Sequence, residues 1–176
     1  MIIRPVDLAI DTTSLLALDT AFATDRIYTV AATEASFTLV ERAVTPPLRK
    51  HFSLAEELGE DRLWQQGFVA VADGAIVGFA AVRYEAWSRR AAIWHLYVAP
   101  AQRGRGIGQA LLTAVTDYAR SVEARCLWLE TSSVNYPAIQ FYRRMGFTWC
   151  GLDLTLYARD GEAAGETALF FARDLA

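Results

Sequence analysis

The most informative part of this sequence lies between residues 96 and 108 and reads Leu96-Tyr97-Val98-Ala99-Pro100-Ala101-Gln102-Arg103-Gly104-Arg105-Gly106-Ile107-Gly108. Its apolar start indicates a strand that ends at Val98, and a glycine-rich turn then leads into a helix. Such a turn leaves backbone N–H groups unpaired at the positive end of the helix dipole, and glycine lets a ligand approach them. The segment therefore predicts a cradle for a phosphate or pyrophosphate, to which Arg103 and Arg105 add positive charge.

The spacing of the glycines argues against two common nucleotide-binding motifs. Gly104, Gly106 and Gly108 do not satisfy G-x-G-x-x-G in any register, and the turn lacks the Lys-Ser or Lys-Thr ending of a P-loop. The whole chain contains one lysine, Lys50. Taken alone, the segment could also be a glycine-rich helix start that binds nothing.

Composition narrows the class of protein. A chain of 176 residues that is 53% hydrophobic and 21% charged predicts a single domain over residues 1–176 with a substantial core. The net charge is -3 and no basic stretch is present, so we expect no nucleic-acid partner. His51 and His95 are the two histidines and the two cysteines lie far apart, so we expect no metal site. The apolar runs are too short for a membrane span, and we expect a soluble, cytoplasmic protein.

The rest of the chain alternates between strand and helix patterns. Two β-rich runs around Asp73-Gly74 predict a tight hairpin. Apolar residues spaced three and four apart between Ile107 and Val122 predict an amphipathic helix. A cap at Thr12, Thr13 or Ser14 predicts a helix through Ala23, a strand from Phe37 should end at the prolines 46 and 47, and residues 54–58 favour a helix. Together these patterns predict an α/β or α+β domain around one mixed sheet.

Two motifs resemble those of the GNAT acetyltransferases. Residues 103–108 match the R/Q-x-x-G-x-G/A signature of that family. A second block, with Asn135, Pro137-Ala138, Phe141-Tyr142 and Gly146-Phe147, is similar to the asparagine–helix–tyrosine–GF block of the same family. The resemblance implies a mostly antiparallel central sheet flanked by helices, in which the strands around 92–98 and 126–131 splay apart for the cofactor.

The flanking segments resemble one branch of that family, the streptothricin acetyltransferases. The similar segments are 22–28, 46–47, 127–130, 134–139, 150–153 and 166–170. Those enzymes acetylate an amine on the β-lysine arm of a cationic antibiotic. The resemblance therefore implies an acetyl-CoA-dependent N-acetyltransferase that acts on a small cationic amine and confers antibiotic resistance.

The resemblance also assigns residues to the cofactor. It implies that the pyrophosphate lies on the amides of the glycine turn and that the pantetheine arm pairs with the backbone at the end of the preceding strand. Tyr142 matches the general acid that protonates the departing thiolate, and its phenol pKa of about 10 suits that transfer. The residues expected at the cofactor are Leu96, Tyr97, Val98, Arg103, Gly104, Arg105, Gly106, Ile107, Gly108, Asn135 and Tyr142.

The general base and the acceptor site stay open at this stage. Streptothricin acetyltransferases carry acidic residues where this chain has Trp94 and His95. His95 would be mostly neutral at pH 7 and could take a proton, or it could be a core histidine. Glu130 is a second candidate for the base, with Glu85 in reserve. The candidates for holding a cationic substrate are Asp25, Tyr28 and Asp153, although such residues are more often caps, surface carboxylates or packed aromatics.

Three functions agree with the sequence. The first is acetylation of a small-molecule amine, and the second is the same chemistry on a protein N-terminus or lysine. The third is an acyl-CoA-binding sensor without turnover, against which Tyr142 argues. Dimers are common in the superfamily, so we expect a monomer or a homodimer.

Overall fold

The computed structural model of the chain describes residues 1–158, 160–161 and 163–175. A short 3-10 helix, Pro100–Gln102, precedes the glycine turn. Over the described residues, no helix combines the length and the apolar character needed to cross a membrane. The other elements are β1 (Ile2–Pro5), α1 (Leu8–Leu16), β2 (Phe22–Ala32), β3 (Phe37–Lys50), β4 (Gln66–Ala72), β5 (Ala75–Glu85), β6 (Arg90–Val98), α2 (Ile107–Ser121), β7 (Cys126–Ser132), α3 (Tyr136–Arg144), β8 (Thr148–Asp153) and β9 (Ala168–Asp174).

Most of the strands belong to one sheet with the order β1-β4-β5-β6-β7-β9-β8, while β2 pairs with β3 in a second sheet. The pairs β1–β4, β4–β5, β5–β6 and β8–β9 are all antiparallel. Asp73 and Gly74 join β4 to β5 with φ angles of 50° and 79°, as the primed turns of tight hairpins require. The predicted hairpin is therefore confirmed.

The chain divides into two compact units. The first contains Met1–Ala21, His51–Trp128 and the residues from Asp174 onward, and the second contains Phe22–Lys50 and Leu129–Arg173. Strands β4, β5 and β6 with α1 and α2 thus belong to the first unit, and β2, β3, α3 and β8 belong to the second. The single domain expected from composition stays a prediction.

Alternate residues of β5 build the core of the first unit. Phe79 is fully buried in a cluster that includes Leu15 of α1 and Trp64. Gly78 faces α2, because a Cβ atom at that position would lie 3.0 Å from Leu111 Cδ1 and 3.0 Å from the backbone oxygen of Tyr97. The missing side chain lets α2 pack directly on the sheet, which places the start of that helix next to the end of β6.

Two of the predicted helices are wrong. The first helix runs from Leu8 to Leu16, because Asp7 and not a residue at 12–14 is its N-cap and accepts a hydrogen bond from the Ala9 amide. It ends before Phe22, which opens β2. Residues 54–58 form turns and not a helix, although Leu54 and Leu58 are buried in the core of the first unit.

The predicted end of β3 at the prolines is also wrong. The strand continues through Pro46 and Pro47 to Lys50. Proline is tolerated there because the register with β2 breaks, so that residues 44–47 have no ladder partner between the pairs Arg26↔Ala43 and Thr24↔Leu48. The peptide bond between Thr45 and Pro46 is cis.

Candidate active site

The glycine turn of the first unit has an unusual backbone. Gly104 and Gly106 have φ angles of 78° and 80°, in the left-handed region that favours glycine. A Cβ atom at either position would meet no heavy atom within 4 Å, so the conformation and not the available space requires glycine. Gly106 is the N-cap of α2, and no described side chain caps the helix or places an acidic group in its first turn. The first amides of α2 are therefore open to an anion.

The side chain of Arg103 forms hydrogen bonds with backbone oxygens beside this turn, and its contact with the cofactor stays a prediction. Its Nε donates to the backbone oxygen of Val98 at 3.0 Å, and its Nη2 donates to the backbone oxygen of Ala21 at 2.5 Å. The Arg103 amide also donates to Pro100 at 3.3 Å. The amides from Gly104 onward, the helix dipole and the exposed side chain of Arg105 remain, and these groups fit a pyrophosphate.

Residues 96–98 continue β6 towards the turn and are all half-buried. Leu96 pairs with Ala80 and Val98 pairs with Gly78 of β5. The Tyr97 ring packs 5.9 Å from that of Phe52 and 5.7 Å from that of His95. The contact of this backbone with pantetheine stays a prediction.

His95 lies inside the first unit with 7% of its surface exposed. Neither ring nitrogen makes a hydrogen bond to a described residue. Nε2 lies 3.3 Å from Glu57 Oε2, a distance at which the two groups would form an ion pair if the imidazole were protonated. Burial lowers the pKa of His95, and the nearby carboxylate of Glu57 partly opposes that shift. We therefore expect a neutral imidazole at pH 7.

Tyr142 lies in the second unit, where the end of α3 fixes its place. The Phe147 amide donates to the Tyr142 carbonyl at 3.0 Å, and the Gly146 amide donates to the Arg143 carbonyl at 3.1 Å. With Gly146 at a φ of 82°, this is a Schellman motif. The Tyr142 ring is buried between Phe141 and Phe147, each 5.5 Å away between ring centroids. Gly146 and Phe147 therefore have two roles: together they end α3, and the Phe147 ring packs against Tyr142.

Asn135 begins the same helix. It is the N-cap of α3, and its Oδ1 accepts a hydrogen bond from the Ala138 amide at 3.4 Å. The Asn135 amide donates to Ser132 at 2.9 Å, which joins the helix to the end of β7. This capping explains an asparagine here on structural grounds, and its contact with pantetheine stays a prediction.

Comparison with known proteins identifies the family. Residues 30–147 match the acetyltransferase (GNAT) family. The chain belongs to the GNAT acetyltransferases. It is 45% identical to the streptothricin acetyltransferase of Streptomyces lavendulae over 171 residues, which cover 92% of this chain and 89% of that enzyme.

Solved structures agree with this assignment. The crystal structure of nourseothricin acetyltransferase superposes with a TM-score of 0.88 at 43% identity and covers 99% of this chain and 98% of that one. A candidate streptothricin acetyltransferase of Bacillus anthracis in complex with acetyl coenzyme A shares the fold, with a TM-score of 0.80 at 20% identity and 98% coverage of both chains. The predicted GNAT fold, a mixed and mostly antiparallel sheet with helices, is confirmed. The chain is an acetyl-CoA-dependent N-acetyltransferase, as the sequence motifs predict.

In this acetyltransferase Glu130 of β7 lies among polar side chains of the second unit. The hydroxyl of Tyr157 donates to Glu130 Oε1. Burial raises the pKa of Glu130, the nearby charge of Glu166 raises it too, and the hydrogen bond from Tyr157 opposes the shift. Glu166 accepts a hydrogen bond from Ser132 Oγ and pairs with the Nζ of Lys50, so its charge is compensated.

The sequence did not reveal the polar cluster around Glu130, in which Tyr157 contacts Glu130 while Ser132 and Lys50 contact Glu166. Ser132 stands two residues after Glu130, and residues spaced by two lie on the same face of a strand. This spacing alone could have indicated that the two side chains are neighbours. Tyr157, Glu166 and Lys50 come from distant segments, and no local pattern connects them with β7.

The three acceptor-site candidates lie in the second unit and have different surroundings. Asp25 is exposed where the register of β2 and β3 shifts. Tyr28 stacks on Tyr136 with centroids 5.5 Å apart, and its hydroxyl accepts a hydrogen bond from Gln140 at 3.1 Å. Asp153 Oδ1 accepts hydrogen bonds from the Thr155 amide and hydroxyl, both at 2.7 Å, which lower the pKa of Asp153. Asp153 therefore caps a turn, and the substrate role of all three stays a prediction.

Proposed function

We propose that this enzyme transfers the acetyl group of acetyl-CoA to a primary amine of a streptothricin-class antibiotic and thereby inactivates it. The observation that carries the proposal is the 45% identity with the Streptomyces lavendulae enzyme across 92% of this chain. Identity at that level over nearly the full length includes the segments outside the shared GNAT motifs. A cationic antibiotic also suits the net charge of -3.

In this proposal the first unit binds the donor. Acetyl-CoA supplies an activated acetyl thioester when bound. The amides from Gly104 to Gly108 hold its pyrophosphate, and Arg105 adds a compensating charge. The backbone of Leu96 and Val98 pairs with its pantetheine arm. The uncapped start of α2 and the left-handed glycines support these assignments.

Two side chains move protons in the proposed reaction. Glu130 takes a proton from the substrate ammonium, directly or through water, so that the amine can attack. Tyr142 gives its hydroxyl proton to the thiolate as the C–S bond breaks, and the second proton that the nitrogen loses on becoming an amide restores the phenol. We prefer Glu130 to His95 as the base, because the ring nitrogens of His95 are buried while Glu130 is half-buried and has a raised pKa. A pKa nearer the working pH makes a carboxylate a more effective base.

Replacement of Gly106 by alanine tests the donor site. The left-handed conformation costs a non-glycine residue about 1–2 kcal/mol, so we expect the KM for acetyl-CoA to rise about tenfold. Gly74→Ala is the matched control, because Gly74 has a φ of 79° and equally open surroundings but lies in the β4–β5 turn. Gly74→Ala should be destabilised about as much as Gly106→Ala and should keep the wild-type KM for acetyl-CoA. Equal KM values in both variants would contradict the assignment.

A panel of amines tests the function itself. Thiol release from acetyl-CoA is followed with nourseothricin, aminoglycosides, polyamines and peptides as acceptors. We expect turnover of nourseothricin at a KM well below that of the other amines. Turnover of peptides alone would replace the proposal with protein acetylation. Tight binding of acetyl-CoA without turnover of any amine would replace it with the sensor.

We place the enzyme in the cytoplasm, where acetyl-CoA is available. Its expected partners are the donor and the small-molecule amine, and its expected assembly is a monomer or a homodimer. Sedimentation of the purified enzyme distinguishes these two states.

A further inference from the structure

A carboxylate from outside the sheet contacts β6 just before the glycine turn. Glu57 belongs to the segment between β3 and β4, and its Oε2 lies 3.3 Å from Trp94 Nε1 and 3.3 Å from His95 Nε2. The backbone oxygen of Glu57 also accepts a hydrogen bond of 2.8 Å from Trp64 Nε1. Because its neighbours Leu54 and Leu58 are buried, the segment holds Glu57 in a defined place.

The two sides of this contact differ sharply in exposure. The side chain of Glu57 is 38% exposed, whereas that of His95 is 7% exposed. The His95 ring stacks on Tyr97, and Tyr97 packs against Phe52, so the carboxylate contacts the first ring of a row of three. Tyr97 and Phe52 are half-buried. The first unit thus presents a partly exposed carboxylate that contacts the first ring of this row, and the two further rings are partly accessible. A carboxylate and aromatic faces are the groups that bind an organic cation.

Among the described residues, no permanently cationic side chain lies at ion-pair distance from Glu57. Within the described ranges of the chain, no arginine or lysine forms an ion pair with it. Among those residues, His95 is the one titratable partner at ion-pair distance from Glu57, and burial lowers the pKa of His95, which favours the neutral imidazole. The indole of Trp94 donates a hydrogen bond and carries no charge. The partly exposed carboxylate of Glu57 is therefore open to a cationic ligand.

His95 itself needs an explanation. Its two ring nitrogens are buried without a hydrogen bond to a described residue, which costs stability that an aromatic ring of similar size would not cost. A histidine that served packing alone would be better replaced by phenylalanine. Its position against Glu57 Oε2 supplies a reason to retain it.

We propose that Glu57 binds a positively charged group of the acceptor substrate, with His95 as a positioning residue behind its carboxylate. The inference rests on the proposed function only in that the substrate is a cationic amine. It assigns acceptor recognition to a residue that the sequence patterns do not mark. It also gives His95 a role other than that of the general base.

The test compares Glu57→Gln with Glu56→Gln. Both substitutions remove one carboxylate, and Glu56 is the exposed neighbour of Glu57. We expect Glu57→Gln to raise the nourseothricin Kd and KM about tenfold, because the variant loses a hydrogen bond to a charged group. The kcat and the KM for acetyl-CoA should stay unchanged. The nourseothricin Kd of Glu57→Gln should also depend less on salt concentration than that of the wild type, because the variant lacks the charge pair that salt screens. Glu56→Gln should match the wild type in all of these constants.

His95→Phe separates positioning from catalysis. We expect a rise of a few-fold in the nourseothricin KM, an unchanged kcat and an equal or higher melting temperature. A fall of about 10²-fold or more in kcat would mean that His95 is the base and would overturn the positioning role.

Binding of nourseothricin is measured by titration calorimetry beside turnover, so that the two proposals can fail separately. An unchanged Kd in Glu57→Gln, with the wild type active, overturns the role of Glu57 alone. Binding that depends on Glu57 without turnover supports that role and overturns the proposed function. Absence of binding to the wild type overturns both.

Discussion

Tyr142→Phe should lower kcat by about 10²–10⁴-fold, the usual contribution of a general acid or base. The substitution removes only the hydroxyl that is proposed to protonate the departing thiolate. The ring stays in its place between Phe141 and Phe147, so the KM values for acetyl-CoA and the antibiotic should change little. Steady-state thiol release with nourseothricin as acceptor measures both constants.

Tyr136→Phe is the matched control for this loss. Tyr136 lies on the same helix, its hydroxyl donates to Glu41 Oε2 at 3.2 Å, and its ring stacks on Tyr28. Both variants lose one hydroxyl, and we expect each to change the free energy of unfolding by about 1 kcal/mol. Full kcat in Tyr142→Phe, or an equal loss in Tyr136→Phe, would contradict the assignment of the acid.

The sequence predicts those parts of the site that depend on neighbours along the chain. The glycine turn is local, because φ angles near 80° at Gly104 and Gly106 require glycine wherever the turn is placed. The end of α3 is local too, since Gly146 and Phe147 complete the Schellman motif with the carbonyls of the last turn. Both motifs could therefore be recognised, and the family they indicate is confirmed.

Contacts between distant segments could not be predicted in this way. Glu57 and His95 are 38 positions apart, and Glu130 meets Tyr157 from another part of the chain. The helix expected from the cap at 12–14 fails for a related reason. Asp11 is buried and paired with Arg4 of β1 by two contacts of 2.7 Å, so tertiary pairing and the Asp7 cap set the position of α1. Helix propensity depends on nearby residues and therefore does not reveal such distant partners.

Glu130→Gln should lower kcat/KM for the antibiotic by about 10²–10⁴-fold if Glu130 is the base. Glutamine keeps the size of the side chain and can still accept a hydrogen bond from Tyr157, but it cannot take a proton. Glu85→Gln serves as the control, since Glu85 is the other half-buried glutamate considered for this role and its carboxylate accepts a hydrogen bond from Ser88 at the β5–β6 turn. Equal activity in Glu130→Gln and the wild type would exclude Glu130.

The assignment of Glu130 as the base also predicts the direction in which activity changes with pH. Burial and the charge of Glu166 raise the pKa of Glu130, so activity should disappear on acidification at a pH above the usual glutamate value of about 4.3. The Tyr157 hydroxyl favours the carboxylate form, and its removal in Tyr157→Phe should raise the pKa further. The acid limb of kcat/KM should then move to higher pH, with the plateau at alkaline pH nearly unchanged. A shift to lower pH, or a lower plateau without any shift, would mean that Tyr157 acts on the reaction in another way than through Glu130.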